Sequence, residues 1–126
     1  MKFYYEGQLI RTSKTHHYTH ACINRNKTDD GKFEVYGCSA SRAGAEKPKR
    51  EKLTMYEHVI DSCNRALQAI EDGKKGYYTR KHEFISFKEY PWLSTREKAE
   101  AEKARAEAHY KAISENWIVV EITEEA

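Results

Sequence analysis

The sequence predicts an α+β fold: an antiparallel sheet, built from an N-terminal meander plus later strands, with two α-helices packed on one face. Three observations predict it. Leu53, Tyr56, Ile60, Cys63, Leu67 and Ile70 step by 3, 4, 3, 4 and 3, which places them on one stripe of a helix. Ser94-Thr95-Arg96-Glu97 opens a second segment rich in Ala, Glu, Lys and Arg, the best helix formers. Short β-prone runs broken by turn formers fill the first 40 residues.

In chain order, Phe3-Tyr4-Tyr5 and Leu9-Ile10 flank Glu6-Gly7-Gln8, a turn whose glycine can take positive φ, so they read as a hairpin. Tyr18–Ile23 and Phe33–Cys38 read as a second strand pair around a polar loop ending in Asp30-Gly31. Residues 39–49 read as a linker or frayed helix start. Proline is tolerated in a first helical turn, so the regular helix is expected from Pro48 to Asp72, with Gly73 as its stop. Residues 76–90 read as β-like around a tight turn at Arg80-Lys81-His82-Glu83, ended by Pro91. Ser94 and Glu97 suggest a capping box for the second helix, whose thin stripe is Ala99, Ala106, Tyr110, Ile113 and Trp117. Ile118–Ile122 reads as a buried last strand, and residues 123–126 as a frayed end. The expected core is Leu9, Ile23, Val35, Leu53, Tyr56, Ile60, Cys63, Leu67, Ile70, Phe84, Ile113, Trp117, Val119 and Ile122.

The 126 residues suit a single domain, 1–126, with one real core. A charged share of 33% and a mean hydropathy of −0.93 make the chain polar, while 12% aromatic residues argue against disorder. No apolar run approaches 18 residues, so no membrane partner is expected. The opening Met1–Glu6 lacks a charged-then-apolar leader, which points to a cytoplasmic protein. Charge is uneven: residues 1–52 carry 11 Lys and Arg against 6 Asp and Glu, and residues 91–126 carry 5 against 8. That polarity suits an acidic partner, nucleic acid included, or head-to-tail self-association. The stripe at 53–70 is too short for a confident coiled coil, so the chain is expected as a monomer or a homodimer.

No catalytic constellation stands out. Cys22, Cys38 and Cys63 share no C-x-x-C spacing and read as reduced thiols; neither a nucleophile elbow nor an H-E-x-x-H is present. His16, His17 and His20 raise the question of a metal. On a strand, four residues span about 13 Å, too far for His16 and His20 to share one zinc, so no metal and no cofactor are expected. The isolated glycines form neither a P-loop nor a dinucleotide fingerprint. An enzyme is therefore not expected.

The best functional candidates are three basic stretches: Arg11, Lys14, His16 and His17 with Tyr18; Lys47, Lys49, Arg50 and Lys52; and Lys74, Lys75, Arg80 and Lys81, interleaved with Tyr77 and Tyr78. Basic side chains neutralise phosphates and Tyr rings stack on unpaired bases. Tyr and Arg also anchor protein interfaces.

The opening Met1–Thr15, with Tyr18-Thr19-His20-Ala21, Val35–Ser39 and Tyr77–Arg80, resembles small accessory proteins of phages and mobile elements in low-GC Gram-positive bacteria. Anti-CRISPR proteins are among proteins of that size and origin. The resemblance implies a non-enzymatic inhibitor of a bacterial defence nuclease complex, with a protein or nucleoprotein target in the host bacterial cell. The alternative is a direct nucleic-acid-binding protein using the basic, Tyr-flanked stretches.

Overall fold

The structure is a computed structural model and describes residues 1–125. Its elements are β1 (Lys2–Tyr5), β2 (Gln8–Thr12), β3 (His20–Asn24), β4 (Val35–Ser39), α1 (Arg42–Glu71), β5 (Gly76–Tyr78), β6 (Phe84–Ser86), a 3₁₀ turn (Pro91–Leu93), α2 (Arg96–Asn116), β7 (Trp117–Glu121) and β8 (Thr123–Glu125). The class is α+β, as the sequence implies: two helices with antiparallel sheets. The strands divide among three sheets rather than one, ordered β2-β1-β8, β4-β3-β7 and β5-β6.

The first 40 residues therefore do not form a continuous meander. After β2 the Ser13 hydroxyl accepts the backbone N–H groups of Thr15 and His16, a local turn that takes the chain out of the first hairpin. The C-terminal residues complete both three-stranded sheets. Trp117–Glu121 pairs with β3, and Thr123–Glu125, expected to fray, pairs with β1 and sets Lys2 opposite Glu125. Ala126 lies outside the described residues.

The helix starts also differ from expectation. Ser41 caps α1: its hydroxyl accepts the Gly44 N–H at 3.0 Å, so the helix begins six residues before Pro48. Pro48 is accepted inside the helix, where its ring packs toward β4; a Cβ at Gly37 would stand 3.4 Å from Pro48 Cγ. Asp72 and Gly73 end α1 in a Schellman arrangement, with Gly73 N–H on Ile70 O, Lys74 N–H on Ala69 O, and Gly73 at φ +70°. At α2 the capping box fails by one position. The Ser94 hydroxyl donates to Pro91 O, and Thr95 Oγ1 accepts the Lys98 N–H instead.

The described residues form two compact units, 1–52 with 112–125, and Leu53–Lys111. The first is centred on Phe3, Ala21, Cys22, Ile23, Ala45 and Ile113. Its β1–β2 hairpin turns at Glu6 and Gly7, both at positive φ, a primed two-residue turn. Gln8 clamps the segment before β4, donating to Phe33 O and accepting the Phe33 N–H at 2.7 Å.

The second unit is centred on Cys63, Ala66, Ala69, Tyr77, Leu93 and Ala99. The buried face of α1 is thus turned from the large-residue stripe toward its alanines, because Ala66 and Ala69 allow closer packing than Leu or Ile. Of the expected core, Leu9 and Phe84 are exposed. Phe3, Leu93, Ala45, Ala66 and Ala69 are among its unexpected members, whereas Ala99 and Ala106 lie on the stripe expected for α2.

Candidate binding surfaces

The first basic stretch is partly assembled. Tyr18 is half-buried and lies in a loop before β3, not within a strand. Phe3 meets its ring edge-on at 5.3 Å, the His16 imidazole stacks on it at 5.6 Å, and the Arg11 guanidinium lies 5.7 Å from its centroid. The ring is thus occupied by its own neighbours. Lys14 is exposed and joins no ion pair among the described residues. His17 contacts Glu124 at 3.3 Å and His20 contacts the Thr19 hydroxyl at 2.7 Å, so each of the three imidazoles has its own partner. Among the described residues no three His, Cys, Asp or Glu side chains gather as metal ligands.

The second stretch lies along the first turns of α1. Lys47 pairs with Glu51 at 3.8 Å, an exposed contact of little energetic weight. Lys49 donates to Ser114 O at 3.1 Å and is committed to the fold. Arg50 and Lys52 are exposed.

The third stretch separates. Tyr77 is buried against Phe87, and burial raises its phenol above the ordinary range, so it offers no stacking face. Its neighbour Tyr78 takes the outward role. β5 pairs with β6 so that Tyr77 lies opposite Ile85 and Tyr78 opposite Phe84. Successive strand residues face opposite ways, hence one Tyr enters the core and the next leaves it. Tyr78 and Phe84 are 59% and 51% exposed, with centroids 5.2 Å apart. The sequence suggests Tyr78 for this stretch but places Phe84 in the core; the two-residue alternation starting from Gly76 is the signal that turns both rings outward.

Two hollows flank that hairpin. One, of about 590 Å³, is lined by Arg65, Asp72, Lys74, Lys75, Tyr78 and Phe84 among others. The other, of about 530 Å³, is lined by His58, Asp61, Ser62, Thr79, Arg80, Lys81 and Glu83. Arg65 supports the hairpin: its Nε donates to Asp61 at 2.9 Å and its Nη1 to Tyr78 O at 3.4 Å. The turn is a three-residue loop, Arg80-Lys81-His82, closed by Thr79 N–H on Glu83 O and His82 N–H on Thr79 O. Arg80 and Lys81 are exposed at its tip.

Burial raises the pKa of Cys22, Cys38 and Cys63 above the ordinary thiol value, which keeps each neutral near pH 7. Among the described residues no helix is long and apolar enough to cross a membrane. No protein-family model, no curated protein and no solved structure matches the chain.

Proposed function

We propose that the chain works by binding rather than turnover, as a phage-type accessory protein that inhibits a bacterial defence nuclease complex, an anti-CRISPR protein in the sharpest form. One observation carries the binding part. Tyr78, Phe84, Tyr90 and Trp92 are all 48–59% exposed, and they come from fifteen consecutive residues. Large aromatic side chains gain free energy by leaving water, and rings held outside a fold are the usual anchors of an interface. The three thiols, kept neutral by burial, are poor nucleophiles, which supports a role without turnover. The class of target comes from the resemblance of the N-terminal segments and the Tyr77–Arg80 strand to phage accessory proteins.

The test is expression of the chain in bacterial strains that each carry an active CRISPR nuclease directed at a phage. Restored plating of the phage in one strain, lost with Tyr78→Ala/Trp92→Ala, is the expected result. Unchanged plating across strains covering the known nuclease types would overturn the inhibitor reading.

A further inference from the structure

We propose that the outer face of the β5–β6 hairpin is a seat for single-stranded nucleic acid. An unpaired base stacks on the Tyr78–Phe84 pair, and its flanking phosphates meet Lys74 and Lys75 on one side and Arg80 and Lys81 on the other. This rests on the proposed function only in taking the chain as a binder, and it names the partner class of that face.

The rings are set before any partner arrives. Phe84 lies across Gly76, where a Cβ would stand 2.6 Å from its Cζ and would also collide with Ile85 O. Only glycine leaves that space. Tyr78 is held by its cross-strand position opposite Phe84 and by Arg65 on its own carbonyl. A platform already ordered loses little conformational entropy on binding.

Charge selects the occupant. From 74 to 84 the chain carries Lys74, Lys75, Arg80 and Lys81 against Glu83 alone. None of those four cations forms an ion pair among the described residues, whereas Arg65 is matched by Asp61. Four unmatched cations around two rings complement a polyanion. A protein partner fits less well, because interface cores are depleted in Lys. A duplex also fits less well, since its bases already stack on one another, while an exposed ring accepts any unpaired base. The hollow of about 590 Å³ beside the rings is large enough for one nucleotide. Stacking on an exposed ring favours no particular base, so binding tolerates many sequences.

The test uses the full chain, a fluorescent oligo-dT strand of about 12 nucleotides, and its duplex, read by fluorescence anisotropy. The strand should bind more tightly than the duplex. Tyr78→Ala and Phe84→Ala should each weaken it roughly 5- to 100-fold, the range of one lost stacking contact, while Tyr78→Phe stays near wild type. Lys74→Gln/Lys75→Gln should flatten the salt slope by about 1.4, for two phosphate contacts on a single strand. All these side chains are exposed, so an unchanged melting midpoint confirms that each variant folds.

No binding at 50 mM salt with protein up to about 100 µM, the weak end of non-specific affinity, overturns the inference. So does binding that none of these substitutions weakens. If phage plating is restored in a Tyr78-dependent manner without oligonucleotide binding, the face docks protein: the inference fails and the inhibitor reading stands. If the oligonucleotide binds in a Tyr78-dependent manner and plating never changes, the inference stands and the inhibitor reading fails.

Discussion

Tyr18 and Tyr78 keep similar company in the sequence. Arg11, Lys14 and His16 precede the first; Lys74, Lys75, Arg80 and Lys81 bracket the second. Their fates differ. Tyr18 is half-buried, with Phe3 at its edge and His16 and Arg11 beside its ring, so the local fold consumes its surface. Tyr78 has Phe84 as its aromatic neighbour and leaves its outer face to solvent. A basic, Tyr-containing stretch is thus a stabilising cluster in one unit and an open platform in the other. What separates them is whether a buried aromatic stands behind the ring.

The largest expected effect sets the two supporting phenylalanines against each other. Phe3 is fully buried on the central strand of its sheet, so Phe3→Ala should destabilise by about 3–5 kcal/mol. Phe84 is half exposed, and Phe84→Ala should stay within about 0.5 kcal/mol. Urea unfolding of both variants reads this directly. Equal losses would erase the distinction between the two regions.

A second contrast is smaller. Tyr18→Ala removes the Phe3 edge contact and the Arg11 and His16 contacts, a loss of about 1–2 kcal/mol in stability. Oligonucleotide affinity should move by no more than about twofold, since that ring is already occupied. A Tyr18→Ala variant with wild-type stability and no oligonucleotide binding would exchange the roles assigned to the two regions.

How much of this was legible depended on which signal governed each element. The 3-4 spacing located α1, and Gly73 located its end. The runs read as β1 to β4 and β7 match the structure to within about two residues because β-prone residues sit between strong turn formers, whereas β8 falls in residues expected to fray and β6 ends at Ser86, short of the expected Tyr90. Sheet membership was not legible, since the partners of β1 and β3 lie about 100 residues downstream and pairing over that separation leaves no local trace. The capping box was displaced because Ser94 and Thr95 are both good caps, and Pro91 O captured the Ser94 hydroxyl. Large apolar side chains dominate a periodicity reading, so Ala66 and Ala69 do not stand out on α1 as the close-packing positions they are, whereas on α2, poor in large apolar residues, the stripe through Ala99 and Ala106 is legible. At the candidate face the charges are legible, but of the two tyrosines that the sequence suggests, strand alternation turns only Tyr78 outward and buries Tyr77.

The buried groups of both units predict an alkaline response. Cys22 in one and Cys63 in the other have folded pKa values raised by burial above the ordinary 9.0, and Tyr77 is raised above 10.0. A raised folded pKa means that the unfolded chain releases its proton first. Stability is therefore full below about pH 9 and falls as pH rises from there through the folded values. Urea midpoints between pH 7 and 10.5 should fall in that window, and Cys22→Ala should make the decline shallower. A flat profile, or a decline beginning well below pH 8, would contradict the burial of these groups.

The two hairpins supply the smallest test. The β1–β2 turn places Gly7 at φ +81° beside Glu6 at +47°, whereas the β5–β6 loop has no glycine and places His82 at +63°. A side chain in that region costs roughly 1–2 kcal/mol because Cβ crowds the following carbonyl. Glycine removes that cost but loses more backbone entropy on folding, about 0.5–1 kcal/mol, so His82→Gly should gain only about 0.5 kcal/mol. Gly7→Ala introduces the cost without a return and should lose about 1 kcal/mol. His82 forms no side-chain hydrogen bond or ion pair among the described residues, so oligonucleotide affinity should survive His82→Gly. A loss of more than 1 kcal/mol on that change would mean that the imidazole itself supports the loop. The Tyr78–Phe84 platform would then depend on a contact at the tip as well as on Gly76 and Arg65 beneath it.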